Sequence, residues 1–297
     1  MVDYKLLVAL AAVIEHGGFE RAASHLGLSQ SAVSQRIKLL EARLGTAALV
    51  RSAPPQATAA GQRLLNHVQQ VRLLERDLQA DLPQIADQGG RTRLRVALNA
   101  DSLATWWAAA VSGWCEREQV LLDLQVEDQD VGLRRMRSGE VAACLCAAEQ
   151  PVAGARSALL GQMPYLAVAS PAFVQRHFAG GLQGLAAREV ARVPAVVFGP
   201  DDQLQHRFVQ QFGVVGEFDY HLCPSSEGFV RMLEAGVGWG MVPALQVTDA
   251  LATGRLQQLL PSQALQVPLY WHYWRNGGQL LNGLTEQLLR LAPKLLR

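Results

Sequence analysis

The sequence predicts an α/β protein in three parts: a winged helix-turn-helix at the N-terminus, one long linking helix, and two α/β lobes facing each other across a cleft. Three observations carry this. Residues 1–58 hold apolar side chains at helical spacing, cut by glycines at short intervals. Residues 59–90 carry a single apolar stripe that runs out at Pro83 and Gln88-Gly89-Gly90. From residue 91 to 297, strand-like runs alternate with helical ones, the pattern of parallel α/β units.

In the head, Leu6, Leu10 and Val13 form a first helical stripe, ended by Gly17-Gly18. Phe19, Ala22, Ala23 and Leu26 form a second, stopped by Gly27. Ser29 can cap a third helix, whose buried face is Val33, Ile37, Leu40 and Leu44 and whose stop is Gly45. The link Gly27-Leu28-Ser29 has the length of a helix-turn-helix turn, and the two alanines let the helices cross closely. Leu49-Val50-Arg51, followed by Pro54-Pro55, reads as the hairpin that makes a wing.

Thr58 can cap the linking helix, along which Leu64, Val68, Val71, Leu74 and Leu78 recur at steps of four, three, three and four. Such a stripe needs a cover. The simplest is the same helix of a second subunit, with Leu64, Val68, Val71 and Leu78 in the seam; the alternative is packing within the chain. Beyond the linker, 94–98 reads as a strand, with a helix from about Ser102, a strand at 120–126, a helix at 131–138 and a strand at 141–146. After Pro164 the alternation resumes: strand 165–169, a helix around Phe173, strand 195–198, and a helix from about Ser226. Residues 268–274 return the chain to a closing helix bearing Leu280, Leu284, Leu288 and Leu291. Crossings near 163–165 and 266–269 assign 91–162 and 268–297 to lobe I, and 163–267 to lobe II.

Composition excludes several classes. Of 297 residues, 49% are hydrophobic and 18% charged, which supplies a sizeable core and rules out wholesale disorder. The net charge of +1 excludes a uniformly basic coat, yet residues 1–63 hold seven basic and four acidic side chains, so the head carries +3 and the rest −2. No apolar run is long enough to span a membrane, and no leader-like segment opens the chain. Four cysteines do not make a disulfide framework. The expectation is a reduced, cytoplasmic protein without a cofactor or metal.

On the third helix, the side opposite Val33, Ile37 and Leu40 presents Ser31, Ser34, Gln35 and Lys38, with Gln30 at the helix start. Gln can pair with adenine, Ser adapts, and Lys or Arg takes guanine or phosphate. A helix about 22 Å long fits a major groove. Spacing alone leaves an ordinary solvated face equally open. The residues go further. The run from Phe19 to Ile37, FERAASHLGLSQSAVSQRI, with Leu40-Glu41, Leu44-Gly45, Arg51, Thr58 and Gly61, resembles the N-terminal signature of LysR-type transcriptional regulators. Val50 departs from it, since most of that family has Phe before the Arg. Leu49 to Pro55, together with 98–106, 124–128, 225–227 and 269–272, is similar instead to the ArgP/LysG branch, regulators that sense lysine and arginine and switch on a basic amino-acid exporter.

That resemblance implies a winged helix-turn-helix, a dimerising linker helix and a two-lobed effector domain like a type 2 periplasmic binding protein, assembled as dimers or tetramers on operator DNA, with RNA polymerase a further partner. It implies base contacts by Gln30, Ser31, Ser34 and Gln35, and backbone contacts by Arg36, Lys38 and Arg51. The alternatives are a LysR-type regulator of a different effector, or a cytoplasmic amino-acid binding module without DNA binding.

Strand-end positions nominate the ligand site, because α/β folds place ligands there. Asn99, Asp101 and Ser102 follow the first strand of lobe I, Glu127-Asp128 end the second, Phe198 ends a strand of lobe II, and Ser226-Glu227 start a helix. A helix start with a serine suits a carboxylate, although Asp101, Ser102 and Glu227 can equally be caps. For a basic amino acid, Ser102 and its neighbouring N–H groups would take the α-carboxylate and Asn99 the polar head. Asp128, then Glu127 or Glu227, would take the cationic end, and Phe198 would cover the stem. Gly236-Val237-Gly238-Trp239-Gly240 follows a helix and precedes a strand, so it reads as a turn rather than a dinucleotide loop. Cys144 and Cys146 read as buried structural thiols, with no second pair at zinc spacing. No nucleophile-elbow or phosphate-loop motif supports an enzyme.

Overall fold

The head folds as three helices and a hairpin around its own core. In the computed structural model, residues 3–81, 92–127, 132–138, 140–179, 181, 187–200, 202–261 and 263–296 are described. The head comprises α1 (Tyr4–Glu15), α2 (Phe19–Leu26), α3 (Gln30–Leu44), and a hairpin of β1 (Leu49–Val50) and β2 (Gln56–Ala57). Ser29 Oγ accepts from Ala32 N at 3.2 Å, the cap expected of it. Gly27 and Gly45 end α2 and α3 at φ of 62° and 68°, which a side chain would oppose. Leu6, Leu10, Val13, Ala22, Val33, Ile37 and Leu40 are all buried together, so the helical stripes form one core.

The long helix α4 (Ala59–Asp81) starts where Thr58 Oγ1 accepts from Gly61 N at 3.1 Å and donates to Ala47 O at 2.7 Å. It revises the predicted seam. Val68 is fully buried in the head's own core, and Leu64 packs against the same core, because α1 lies across this half of the helix. Those two residues are therefore covered within the chain. Leu74 and Leu78 are each 48% exposed and Val71 is half-buried, so the uncovered apolar face starts about two turns further along. Glu15 of α1 receives Arg72 at 2.5 Å and Gln69 at 3.3 Å, which fastens head to helix. The linker read at Pro83 and 88–90 lies outside the described residues.

The remainder runs β3 (Arg93–Asn99), α5 (Ala100–Ser102), a π-helical turn (Leu103–Trp107), α6 (Ala108–Glu118), β4 (Leu121–Glu127), α7 (Gly132–Ser138), β5 (Ala143–Cys146), β6 (Ala155–Ala169), α8 (Pro171–His177), α9 (Ala187–Val190), β7 (Ala195–Val197), α10 (Leu204–Gln210), β8 (Tyr220–Leu222), α11 (Ser226–Glu234), β9 (Gly240–Pro243), α12 (Ala244–Ala252), β10 (Gln257–Gln258), β11 (Leu265–Trp274) and α13 (Gly278–Leu295). In lobe I, β3 pairs in parallel with β4 and β5, as alternating strands and helices require. In lobe II, β7 and β8 pair in parallel, and β9 and β10 flank β6.

β6 and β11 cross between the lobes as one antiparallel ribbon, from Leu265 opposite Tyr165 to Trp274 opposite Ala155. Both strands begin earlier than predicted, β6 by ten residues. Gly161, Pro164 and Pro268 read as breaks in the sequence but lie inside the paired ribbon. A residue in a ladder sends its N–H to one side only, so a proline fits where that side is open. Gly236 to Gly240 is the helix-to-strand turn expected between α11 and β9. Cys144 and Cys146 are buried free thiols, while Cys115 and Cys223 are half-buried.

Candidate functional site

The head presents its predicted reading face outward. Gln30, Ser31, Gln35 and Lys38 are exposed on α3, and Ser34 and Arg36 are half-exposed, while Val33, Ile37 and Leu40 anchor the opposite side. Ser31 Oγ shares a 2.9 Å hydrogen bond with Ser29 Oγ, which ties it to the helix start. Arg51 is exposed just past β1, at the wing. The head thus exposes hydrogen-bonding side chains on α3 and a guanidinium at the wing, residue types that base edges and phosphates can engage.

The cleft between the lobes is narrow and is lined by Asp101, Phe198, Asp202, Leu204, Ser226, Phe229, Gln246 and the β9 residues Met241 to Pro243. Asp101 lies one residue into α5, at the carboxyl end of β3. Its Oδ2 accepts from Tyr165 Oη at 2.7 Å and its Oδ1 from Ser226 Oγ at 3.0 Å. Tyr165 belongs to the crossing ribbon and Ser226 opens α11, so the carboxylate joins lobe I, the crossing and lobe II. Gln246 of α12 donates to Ser226 O at 3.0 Å and also bonds its hydroxyl. Ser225 Oγ accepts from Gly228 N at 3.1 Å and so caps α11, which leaves Ser226 Oγ for the cleft.

Across the cleft, Asp202 follows β7. Its Oδ2 accepts from Phe198 N at 3.2 Å and its Oδ1 from Leu204 N at 2.9 Å. Burial pushes its carboxyl above the ordinary carboxylate range, and these N–H donors, with the nearby His206 and Arg207, offset only part of that.

The structure brings Asp101, Phe198 and Ser226 together. Asn99 and Ser102, predicted beside Asp101, are not among the residues that line the cleft; they are 3% and 0% exposed, and Asn99 Nδ2 and Oδ1 and Ser102 Oγ have no hydrogen-bond partner. Glu227 points away, exposed and ion-paired with Arg231 on the surface of α11. Glu127 closes β4 opposite Asn99 in register. Asp128 lies outside the described residues. Sequence reasoning missed Tyr165, Asp202 and Gln246. The strand-end rule that selected Phe198 would have found Asp202 four residues on, whereas nothing local marks Tyr165 within an apolar strand.

Comparison with known proteins agrees with this architecture. Residues 4–62 match the bacterial regulatory helix-turn-helix protein, lysR family, and residues 87–292 match the LysR substrate binding domain. The chain is 65% identical over 294 residues to the HTH-type transcriptional regulator ArgP of Pseudomonas fluorescens Pf0-1, covering 99% of this chain and 98% of that one. ArgP from Mycobacterium tuberculosis superposes with a TM-score of 0.86 at 38% identity, over 99% of each chain. Full-length LysG from Corynebacterium glutamicum, solved with bound effector arginine, superposes at 0.75 and 32% identity over the whole of both chains. No helix among the described residues is long and apolar enough to cross a membrane. With both family domains matched in order, and relatives that are named transcriptional regulators rather than enzymes, this chain is a DNA-binding transcriptional regulator and belongs to the LysR family.

Proposed function

We propose that this regulator works in the cytoplasm as a homodimer or tetramer, senses free lysine or arginine, and controls a basic amino-acid exporter or a related gene. The observation that carries the reading is the interlobe cleft with a carboxylate on each wall, Asp101 and Asp202, beside an apolar lining. Such a site suits a ligand with a cationic group and a methylene stem. The arginine in the LysG relative supports that chemistry. Asn99 and Ser102 supply buried polar atoms at the helix start for the ligand's carboxylate. At the other end of the molecule, Gln30, Ser31, Ser34 and Gln35 read base edges, Arg36, Lys38 and Arg51 hold phosphates, and RNA polymerase is a further contact.

Effector binding acts on DNA binding through α4, which is fastened to α1 by Glu15 and Arg72 and packs Leu73 into the core of the lobes. Two subunits then place two reading helices on two half-sites. Calorimetry of the full chain with lysine, arginine and uncharged norleucine tests the sensing. Tighter binding of the two cationic ligands is expected, and equal binding of norleucine rejects it.

A further inference from the structure

We infer that Asp202 is the specificity-determining residue of the cleft, the carboxylate that receives the cationic end of the effector and rejects neutral isosteres; this rests on the basic-amino-acid reading above. Two carboxylates among the described residues line the cleft, and their surroundings differ. Asp101 is engaged by hydroxyls on both oxygens, from Tyr165 and Ser226, and serves as the joint between the lobes. Asp202 receives one backbone N–H on each oxygen and makes no ion pair among the described residues. An ionised carboxylate has about four acceptor positions, so roughly two remain for a ligand.

Those N–H donors come from Phe198 and Leu204, at the two ends of the link from β7 to α10, so the group is held by main-chain donors rather than by side chains. Phe198, Leu204, Phe229 and Met241 line the same cleft as an apolar wall that a methylene stem can follow. Asp202 is buried without an ion pair among the described residues, and the nearby His206 and Arg207 offset only part of that burial, so it stays costly to ionise, which its raised titration range reflects. An ammonium or guanidinium removes that cost, and a uncharged group of the same shape does not. The selectivity therefore lies in what the free site lacks, as specificity by mismatch requires.

The test is calorimetric titration of the full-length protein with arginine and with citrulline, its neutral isostere, in wild type, Asp202→Asn, Asp202→Ser and Asp202→Glu, with folding checked by circular dichroism. Wild type is expected to prefer arginine strongly. The two neutral variants are expected to lose about tenfold or more in arginine affinity and to bring the arginine-to-citrulline ratio near one, while Glu restores part of the preference. A merely structural role would lower both affinities together and leave the ratio unchanged, which overturns the assignment. So does an undiminished preference in either neutral variant. Failure of wild type to bind any basic amino acid overturns the parent reading and this one together.

Discussion

Asp101 and Ser226 belong to opposite lobes and meet at 3.0 Å, with Tyr165 of the crossing ribbon donating to the same carboxylate at 2.7 Å. The two variants of this joint differ in what they strand. Ser226→Ala removes one hydroxyl and is expected to cost about 1 kcal/mol in urea unfolding of the ligand-free protein. Asp101→Ala leaves the buried Tyr165 hydroxyl without its carboxylate and is expected to cost about 1–3 kcal/mol. Equal costs would mean that the tyrosine finds another acceptor.

The reading face predicts two kinds of DNA phenotype. The pair Ser34→Ala and Gln35→Ala is expected to lose about 1–3 kcal/mol on the operator and to relax preference at particular base pairs. Arg51→Ala is expected to weaken all sequences alike and to reduce the salt slope by about one. Gel-shift titrations at several salt concentrations separate them, and unchanged affinity in the double variant removes α3 as the reader.

Gly61 is a close-approach position. A Cβ there would lie 1.8 Å from Ala48 O, the carbonyl that accepts from Thr58 N. Gly61→Ala must therefore push the wing off α4, and a loss of several kcal/mol from the head is expected. Thermal melts of the head should show it, with operator binding lost at the same time.

The uncovered face of α4 makes an assembly prediction. Leu74→Glu with Leu78→Glu is expected to weaken the dimer in sedimentation, because both side chains are half exposed in the single chain. Val68→Glu would instead unfold the head, where Val68 is buried. A dimer indifferent to the first pair places the seam elsewhere.

The titration of Asp202 predicts a pH trend. Its folded carboxyl titrates above the unfolded one, so the ligand-free protein loses stability as pH rises through that window, from about 4 upward. Asp202→Asn lacks this loss. Its melting temperature is expected to gain on wild type as pH rises above about 4, and a constant difference would show that the group is not strained.

The head was legible almost residue by residue, since Ser29, Gly27, Gly45 and Thr58 act locally and the apolar stripes of α1 to α3 meet a core of their own. The length of β6 and β11 was hidden, because Gly161, Pro164 and Pro268 are local stop signals that the ribbon overrides by pairing over ten residues. The cleft was half legible. Strand ends announced Asp101 and Phe198, and a helix start announced Ser226, but that Tyr165 and Gln246 join them follows from how β6 and α12 pack, which no short window of sequence contains. Val68 was misplaced for the same reason, as one stripe on α4 serves the head first and a second subunit only beyond it.

The crossing ribbon sets the mechanical character of the protein. Both passages between the lobes are strands hydrogen-bonded to each other, and the register shifts between Leu269 and Tyr270, close to the crossing. Lobes hung on two loops would swing freely; lobes hung on a paired ribbon must strain its ladder of hydrogen bonds to move. The molecule is built like a torsion bar, a continuous ladder between the lobes interrupted at the irregularity beside Tyr270.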